Sequence, residues 1–190
     1  TAAGPYDRWP LGRGFQRFYG FLGGDTSQWY PELVYDNHAV EPPKKPEEGY
    51  HLSEDLVDKA VSFIADSKQA DPQKPFYLHL CFGATHAPHH VGKEWADRYK
   101  GAFDDGWDRL REQTFARQKE LGVIPADAQL TTRDEAFPAW DDVPDKLKTL
   151  YARQMEVYAG YSENADHNVG RVIDAIDELG VQDRTVAVSP

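Results

Sequence analysis

Cysteine is almost absent from this sequence, since Cys81 is the only one among 190 residues. A single thiol excludes an internal disulfide and the paired cysteines of a zinc finger. Long apolar runs are also absent, so no stretch reaches the roughly 20 residues of a membrane-spanning helix. Positive charge is scarce, because 21 basic residues face 32 acidic ones and the formal net charge is −11. A surface of that charge repels DNA and RNA, so we expect no nucleic-acid partner.

The two ends of the sequence lack the usual signs of a terminus. The chain begins Thr1-Ala2-Ala3-Gly4, without a methionine or a signal-peptide pattern, and it ends within an apolar run at residues 185–190. We therefore expect residues 1–190 to be an internal segment of a longer catalytic domain, incomplete at both ends. The compartment, cytoplasm or periplasm, and the oligomeric state stay open.

The pattern between residues 53 and 82 predicts a helix, a turn and a strand. Ser53 is suited to cap the helix, and one face of that helix is apolar, at Leu56, Ala60, Phe63 and Ile64. Residues 75–82 are almost continuously apolar, which is typical of a central strand covered by helices on both faces. Cys81 is then a core residue. The succession indicates an α/β fold.

The second half of the chain continues this alternation after an interruption. Residues 92–142 have no continuous pattern and are interpreted as an embellishment of helices and loops. A helical pattern then runs from Pro144 to Gly180, with room for a break at residues 162–164, and a second apolar strand follows. In helix-flanked sheets, ligands bind outside the carboxyl ends of strands. The carboxyl ends of the two predicted strands lie at Phe82 and Ser189, so these are the places where a ligand is expected.

Three histidines lie in the loop after the first predicted strand, at His86, His89 and His90. Histidine can donate a hydrogen bond, carry a proton near neutral pH or bind a metal. A loop rooted on a rigid strand is a usual place for such groups. From the residues alone, a structural role for His86 and simple solvent exposure for His89 and His90 explain the cluster as well. A zinc site is disfavoured, because adjacent side chains point apart.

An aromatic, glycine-rich loop offers a second candidate region at residues 24–29. Asp25 and Trp29 are candidate substrate-binding residues, together with His89 and His90 of the histidine loop. The Trp29 ring is a possible stacking face for an aryl or sugar ring. A loop packed for structural reasons is the alternative. Two acidic pairs, Asp104-Asp105 and Asp141-Asp142, are interpreted as solvated helix ends.

Several segments resemble the type I sulfatases. Residues 14–21 read GFQRFYGF, similar to the family's GF-x-x-FYGF segment, and residues 75–78 with the His86-Ala87-Pro88 turn resemble its PFF strand and H-x-P turn. Residues 166–171 and 179–185 are similar to its D-x-x-VG helix and LG-x-x-x-x-T strand, and residues 152–160 resemble large bacterial arylsulfatases. Order and spacing carry the resemblance over nearly the whole chain.

The resemblance implies an alkaline-phosphatase-like mixed β-sheet with helices on both faces. It also implies a hydrolase of sulfuric esters that acts on a small-molecule sulfate ester, with a bound calcium and a formylglycine made from a C/S-x-P/A-x-R motif. Only His86 falls on a family active-site position, as a catalytic residue. Gly92 stands where the family has a proline, which loosens the loop and leaves His86 in place.

Apart from His86, the modification motif and the calcium ligands of the family are missing from this segment. Cys81 is followed by Phe-Gly-Ala-Thr, and no serine or cysteine fits the modification motif. We therefore expect the formylglycine and the calcium ligands outside the segment, no metal ligand within it, and no activity from these 190 residues alone. Two other functions stay open for the whole protein: a phosphate or phosphonate monoester hydrolase of the same superfamily, and a non-catalytic carbohydrate-binding module.

Overall fold

A computed structural model of the chain describes residues 4–188. The chain divides into two compact units, one with the residues up to Val91 and from Tyr161 onwards, the other with Gly92–Gly160. The strands and α-helices of the described part, besides short 3₁₀ turns, are β1 (Tyr19–Gly20), β2 (Leu33–Tyr35), β3 (His38–Val40), α1 (Leu52–Ala70), α2 (Lys93–Ala96), α3 (Gly106–Glu120) and α4 (Asp145–Glu178).

The first unit contains a small antiparallel sheet in the order β1-β2-β3. Leu33 pairs with Val40 across β2 and β3, and the two strands are joined by a tight turn in which Asp36 has a positive φ of 54°. The Asp36 carboxylate accepts a hydrogen bond from the Phe18 N–H at 3.0 Å, which fixes the turn against the chain before β1. The buried side of the sheet packs against residues at the start of α1, with a core of Leu33, Tyr50, Leu52 and Leu56.

Helix α1 confirms the predicted amphipathic helix but begins one residue earlier than its predicted cap. His51 is the N-cap, because its side chain accepts the Ser53 backbone N–H. The prediction that Ser53 caps the helix is therefore wrong: Ser53 is already helical and fully buried. The apolar face of the helix is buried as expected, including Leu56, Ala60 and Ile64.

Residues 75–82 form no strand, so the prediction of a central strand buried on both faces is wrong. Their side chains alternate between half-buried and exposed, and the half-buried ones are Phe76, Leu78, Leu80 and Phe82. These four pack on a buried cluster from α1 and α4 that includes Ile64 and Val172, and on Val181 beyond α4. Strand pairing requires a neighbouring strand, and residues 4–188 place none beside this segment.

The outward side of the same segment corrects the interpretation of Cys81. Its side chain is exposed, with Sγ 3.2 Å from Nε2 of the exposed His79, so Cys81 is not a core residue. Tyr77 on this side is 78% exposed. The predicted second strand likewise forms no ladder within the described residues, where Val186 and Val188 are exposed; Ser189 lies outside them.

Helix α4 is continuous from Asp145 to Glu178, so the break considered at residues 162–164 does not occur. Asn164 and Asn168 are buried, and the Asn168 side chain donates to the Asn164 carbonyl at 2.9 Å within the helix. Gly180 then follows with a φ of 64°, the left-handed conformation that ends helices.

The second unit is built around the short helix α2, helix α3 and the beginning of α4. Glu156 is buried and accepts hydrogen bonds from the Gly101 N–H and the Arg153 guanidinium, each at 2.8 Å. Arg153 also pairs with Asp97 at 2.9 Å, so the charge of Arg153 is shared between two carboxylates. The acidic pairs at 104–105 and 141–142 are exposed, as the sequence predicted.

One buried carboxylate organises the polar core of the first unit. Asp55 Oδ2 accepts a hydrogen bond from the Tyr19 hydroxyl at 2.6 Å and another from the Tyr50 hydroxyl at 2.9 Å. Asp55 is 7% exposed and Tyr50 is fully buried. Burial and the neighbouring carboxylate raise the pKa of both tyrosines well above the ordinary value.

We expect this unit to lose stability in strong base. Unfolded tyrosines ionise near pH 10, whereas folded Tyr19 and Tyr50 keep their protons to higher pH. Their contribution to the free energy of unfolding is thus complete below about pH 10 and declines above it, by up to about 1.4 kcal/mol per pH unit for each tyrosine. A titration of tyrosinate absorbance should show late ionisation coinciding with unfolding, with a smaller late phase in Tyr50→Phe. Complete ionisation of the folded protein would contradict the expectation.

Candidate active site

The loop at residues 83–90 is folded into two tight turns. The His86 N–H donates to the Gly83 carbonyl at 2.9 Å, and the His90 N–H donates to the Pro88 carbonyl at 2.8 Å. His86 is exposed, and its Nδ1 lies 2.6 Å from the Ala87 carbonyl oxygen. A carbonyl only accepts, so Nδ1 carries the hydrogen in this contact. Nε2 of His86 contacts no partner within residues 4–188.

The structure brings His90 and Trp29 together. Their rings are nearly parallel, at 19°, with centroids 6.4 Å apart. The His90 Nδ1 lies 3.5 Å from the Ser27 hydroxyl oxygen, at the outer limit of a hydrogen bond. Burial lowers the pKa of His90, which favours its neutral form. Two predicted substrate-binding residues thus share one surface of the first unit.

The other two predicted substrate-binding residues do not join this pair. His89 is exposed and its ring lies 6.4 Å from that of Tyr161, which is fully buried. Burial raises the pKa of the Tyr161 hydroxyl, so that group stays protonated at neutral pH. Asp25 is exposed. Within residues 4–188, Ser27 and Trp29, which follow Asp25 in the aromatic loop, are the residues that contact His90.

Gln28 is the first residue of this region that the sequence did not single out. Its side chain is 2% exposed and lies against Gly83, where an added Cβ would be only 2.6 Å from the Gln28 Nε2. Gly83 therefore permits the aromatic loop to pack directly on the histidine loop. Nothing local marks this contact, because the two residues are far apart in the sequence.

His51 is the second such residue. It is 5% exposed, and its Nε2 lies 3.0 Å from the His90 carbonyl oxygen. Its ring also meets that of Trp29 at an 80° angle with centroids 5.0 Å apart. The only sequence signal at His51 is its place before a helix, and that signal points to capping rather than to the loop.

The described part of the chain offers no metal centre. Within residues 4–188, no three histidine, cysteine, aspartate or glutamate side chains converge in a way that could hold an ion. In particular, His86, His89 and His90 do not come together as a set of metal ligands in this part of the chain. None of the helices described has the length and hydropathy needed to cross a membrane.

The fold resembles that of a solved carbohydrate complex. A crystal structure of Ps i-CgsB in complex with k-i-k-neocarrahexaose superposes with a TM-score of 0.55 and 17% identity, and the match covers 94% of this chain and 32% of that one. At this identity the likeness shows the fold alone, and it confirms the predicted partial α/β fold.

Sequence relatives point to one family. The chain is 32% identical to an uncharacterized sulfatase of Schizosaccharomyces pombe, with 96% of the chain and 35% of that protein covered. It is 28% identical to an arylsulfatase of Klebsiella aerogenes, with 94% of the chain and 39% of that protein covered. The chain thus spans less than half the length of these relatives. The Sulfatase family matches residues 1–188, so the chain belongs to the sulfatase family.

Proposed function

We propose that the full-length protein containing this segment is a sulfuric ester hydrolase, which cleaves a small-molecule sulfate monoester into an alcohol and sulfate. One observation carries the proposal: the sulfatase family match runs over residues 1–188 and includes the whole histidine loop. Residues 1–190 are then an internal segment of the catalytic domain, and residues 92–142 are an embellishment of it.

Within this segment, His86 is the proposed catalytic residue. Its exposed Nε2 has no partner in residues 4–188, while Nδ1 is held by the Ala87 carbonyl at 2.6 Å. In its imidazolium form, His86 donates from Nε2 to the bridging oxygen of the sulfate ester. This hydrogen bond stabilises the negative charge that develops on the oxygen as the sulfur–oxygen bond breaks.

The stacked Trp29 and His90 rings form the proposed contact surface for the alcohol part of the ester. The ring of Trp29 is partly exposed and can lie against an aryl or sugar ring. We assign Asp25 and His89 to the margin of this surface, where both side chains are exposed. An Asp25 carboxylate would repel the sulfate, so it suits hydroxyl groups of the leaving alcohol.

The family also implies a calcium ion and a formylglycine. The described residues do not fit either group, because residues 4–188 hold no cluster of metal ligands and no serine or cysteine stands in the modification motif. We propose that other parts of the full-length protein supply both. No step through them is assigned to this segment, and residues 1–190 alone are expected to be inactive.

The test is a comparison of two matched esters with the full-length protein. We expect nitrophenyl sulfate to be hydrolysed with a higher kcat/KM than nitrophenyl phosphate, and heat-treated protein to give only the buffer rate. A preference for the phosphate would replace the proposal with a phosphate monoester hydrolase. Saturable binding of a sugar without turnover of either ester would favour a carbohydrate-binding module.

A further inference from the structure

We propose that His51 is a positioning residue, which holds the loop at residues 83–90 in place through the backbone carbonyl of His90. The inference rests on the proposed function, because the loop carries His86. His51 lies behind the proposed substrate surface, against the Trp29 ring and the His90 carbonyl, and it is not assigned a contact with the reacting atoms.

The two ring nitrogens of His51 have different partners, which fixes the ring. Nδ1 accepts the Ser53 N–H at 3.3 Å, and Nε2 lies 3.0 Å from the His90 carbonyl oxygen. Since a carbonyl can only accept, Nε2 carries the hydrogen and Nδ1 carries the lone pair. One neutral tautomer therefore satisfies both contacts at once.

The surroundings of His51 keep its ring in this orientation. The side chain is 5% exposed, and its ring meets Trp29 edge to face at 5.0 Å and Tyr161 edge to face at 6.3 Å. The residue stands directly before the 19-residue helix α1, and the next residue, Leu52, donates its N–H to the Gln28 carbonyl at 3.0 Å. His51 thus connects the start of a packed helix to both candidate loops.

The contact with His51 acts at the half-buried histidine of the loop. The side chains of His86 and His89 are exposed, whereas His90 is half-buried and is held from both sides, by Ser27 at its ring and by His51 at its carbonyl. His90 closes the turn through its N–H on Pro88. Displacement of His90 would therefore disturb the turn at residues 88–90, which directly follows the turn at residues 83–86 that carries His86.

Two substitutions in the full-length protein separate this role from helix capping. Asparagine at position 51 keeps an oxygen near Nδ1, so His51→Asn preserves the cap but cannot reach the His90 carbonyl. Glutamine places an amide N–H near the Nε2 position, so His51→Gln preserves the donation to His90. We expect His51→Asn to lower kcat on an alkyl or sugar sulfate by roughly tenfold to a hundredfold, with KM little changed. His51→Gln should restore most of the loss.

Amide hydrogen exchange of residues 84–91 gives a readout that does not depend on turnover. Exchange should be faster than in wild type for His51→Asn and near wild type for His51→Gln. Thermal melting should give a higher Tm for His51→Asn than for His51→Gln, because asparagine keeps the helix cap. The inference would be overturned if His51→Asn kept the kcat and the exchange rates of wild type, and His51 would then be a helix cap only. It would also be overturned if His51→Asn and His51→Gln lost kcat equally. A wild-type protein that hydrolyses no sulfate ester would instead overturn the proposed function, and the exchange data alone would then decide whether His51 orders the loop.

Discussion

Replacement of His86 by alanine in the full-length protein is expected to lower kcat on an alkyl or sugar sulfate by ~10²–10⁴-fold, the usual contribution of general acid catalysis. The loss should be much smaller on nitrophenyl sulfate, because an activated phenolate leaves with little help from a proton. The structural basis is the exposed loop position of His86, where Nδ1 is held by the Ala87 carbonyl at 2.6 Å and Nε2 has no partner within residues 4–188. The measurement is kcat and KM for both esters.

His89→Ala and His90→Ala are matched controls from the same loop. His90 contacts Trp29 and Ser27 through its ring, and alanine keeps the backbone carbonyl that His51 contacts. Both variants should therefore change KM or nothing, whichever ester is used. If His86→Ala leaves both rates within about threefold of wild type, well below the range for a general acid, His86 is only a loop residue.

Asp55→Ala is expected to destabilise the protein more than any other single change considered for the first unit. The buried Asp55 carboxylate accepts hydrogen bonds from the Tyr19 and Tyr50 hydroxyls, at 2.6 Å and 2.9 Å. Alanine removes both bonds and leaves two hydroxyls in a region with little access to water. Hydrogen bonds to a charged group contribute about 1.5–3 kcal/mol each, so the expected loss is about 4 kcal/mol in the free energy of unfolding.

Asp55→Asn is the matched control for this prediction. Its amide oxygen can take the place of Oδ2 and accept both hydroxyls, although without the negative charge. In denaturant unfolding, followed by tyrosine and tryptophan fluorescence, the midpoint of Asp55→Asn should lie between those of wild type and Asp55→Ala. Equal midpoints for wild type and Asp55→Ala would show that the two hydrogen bonds contribute nothing net to stability.

The sequence by itself determined the features that depend on local interactions. The apolar face of α1 and the extent of α4 follow from periodicity along one helix. The end of α4 near Gly180 follows from the freedom of glycine at positive φ, 64° here. The candidate histidine loop was visible because three histidines lie within five residues. The sulfatase resemblance was also visible, since it rests on the order and spacing of short segments, and the family match confirms it.

Only the tertiary structure decided the features that depend on partners distant in the chain. Residues 75–82 have the composition of a strand, but a ladder requires a neighbouring strand, so the segment packs one side on helices and exposes Cys81. The contact between His51 and the His90 carbonyl joins residues 39 positions apart, and the Ser27 contact to His90 spans 63. No local pattern encodes such pairs, because they exist only after the helix start, the aromatic loop and the histidine loop have packed together.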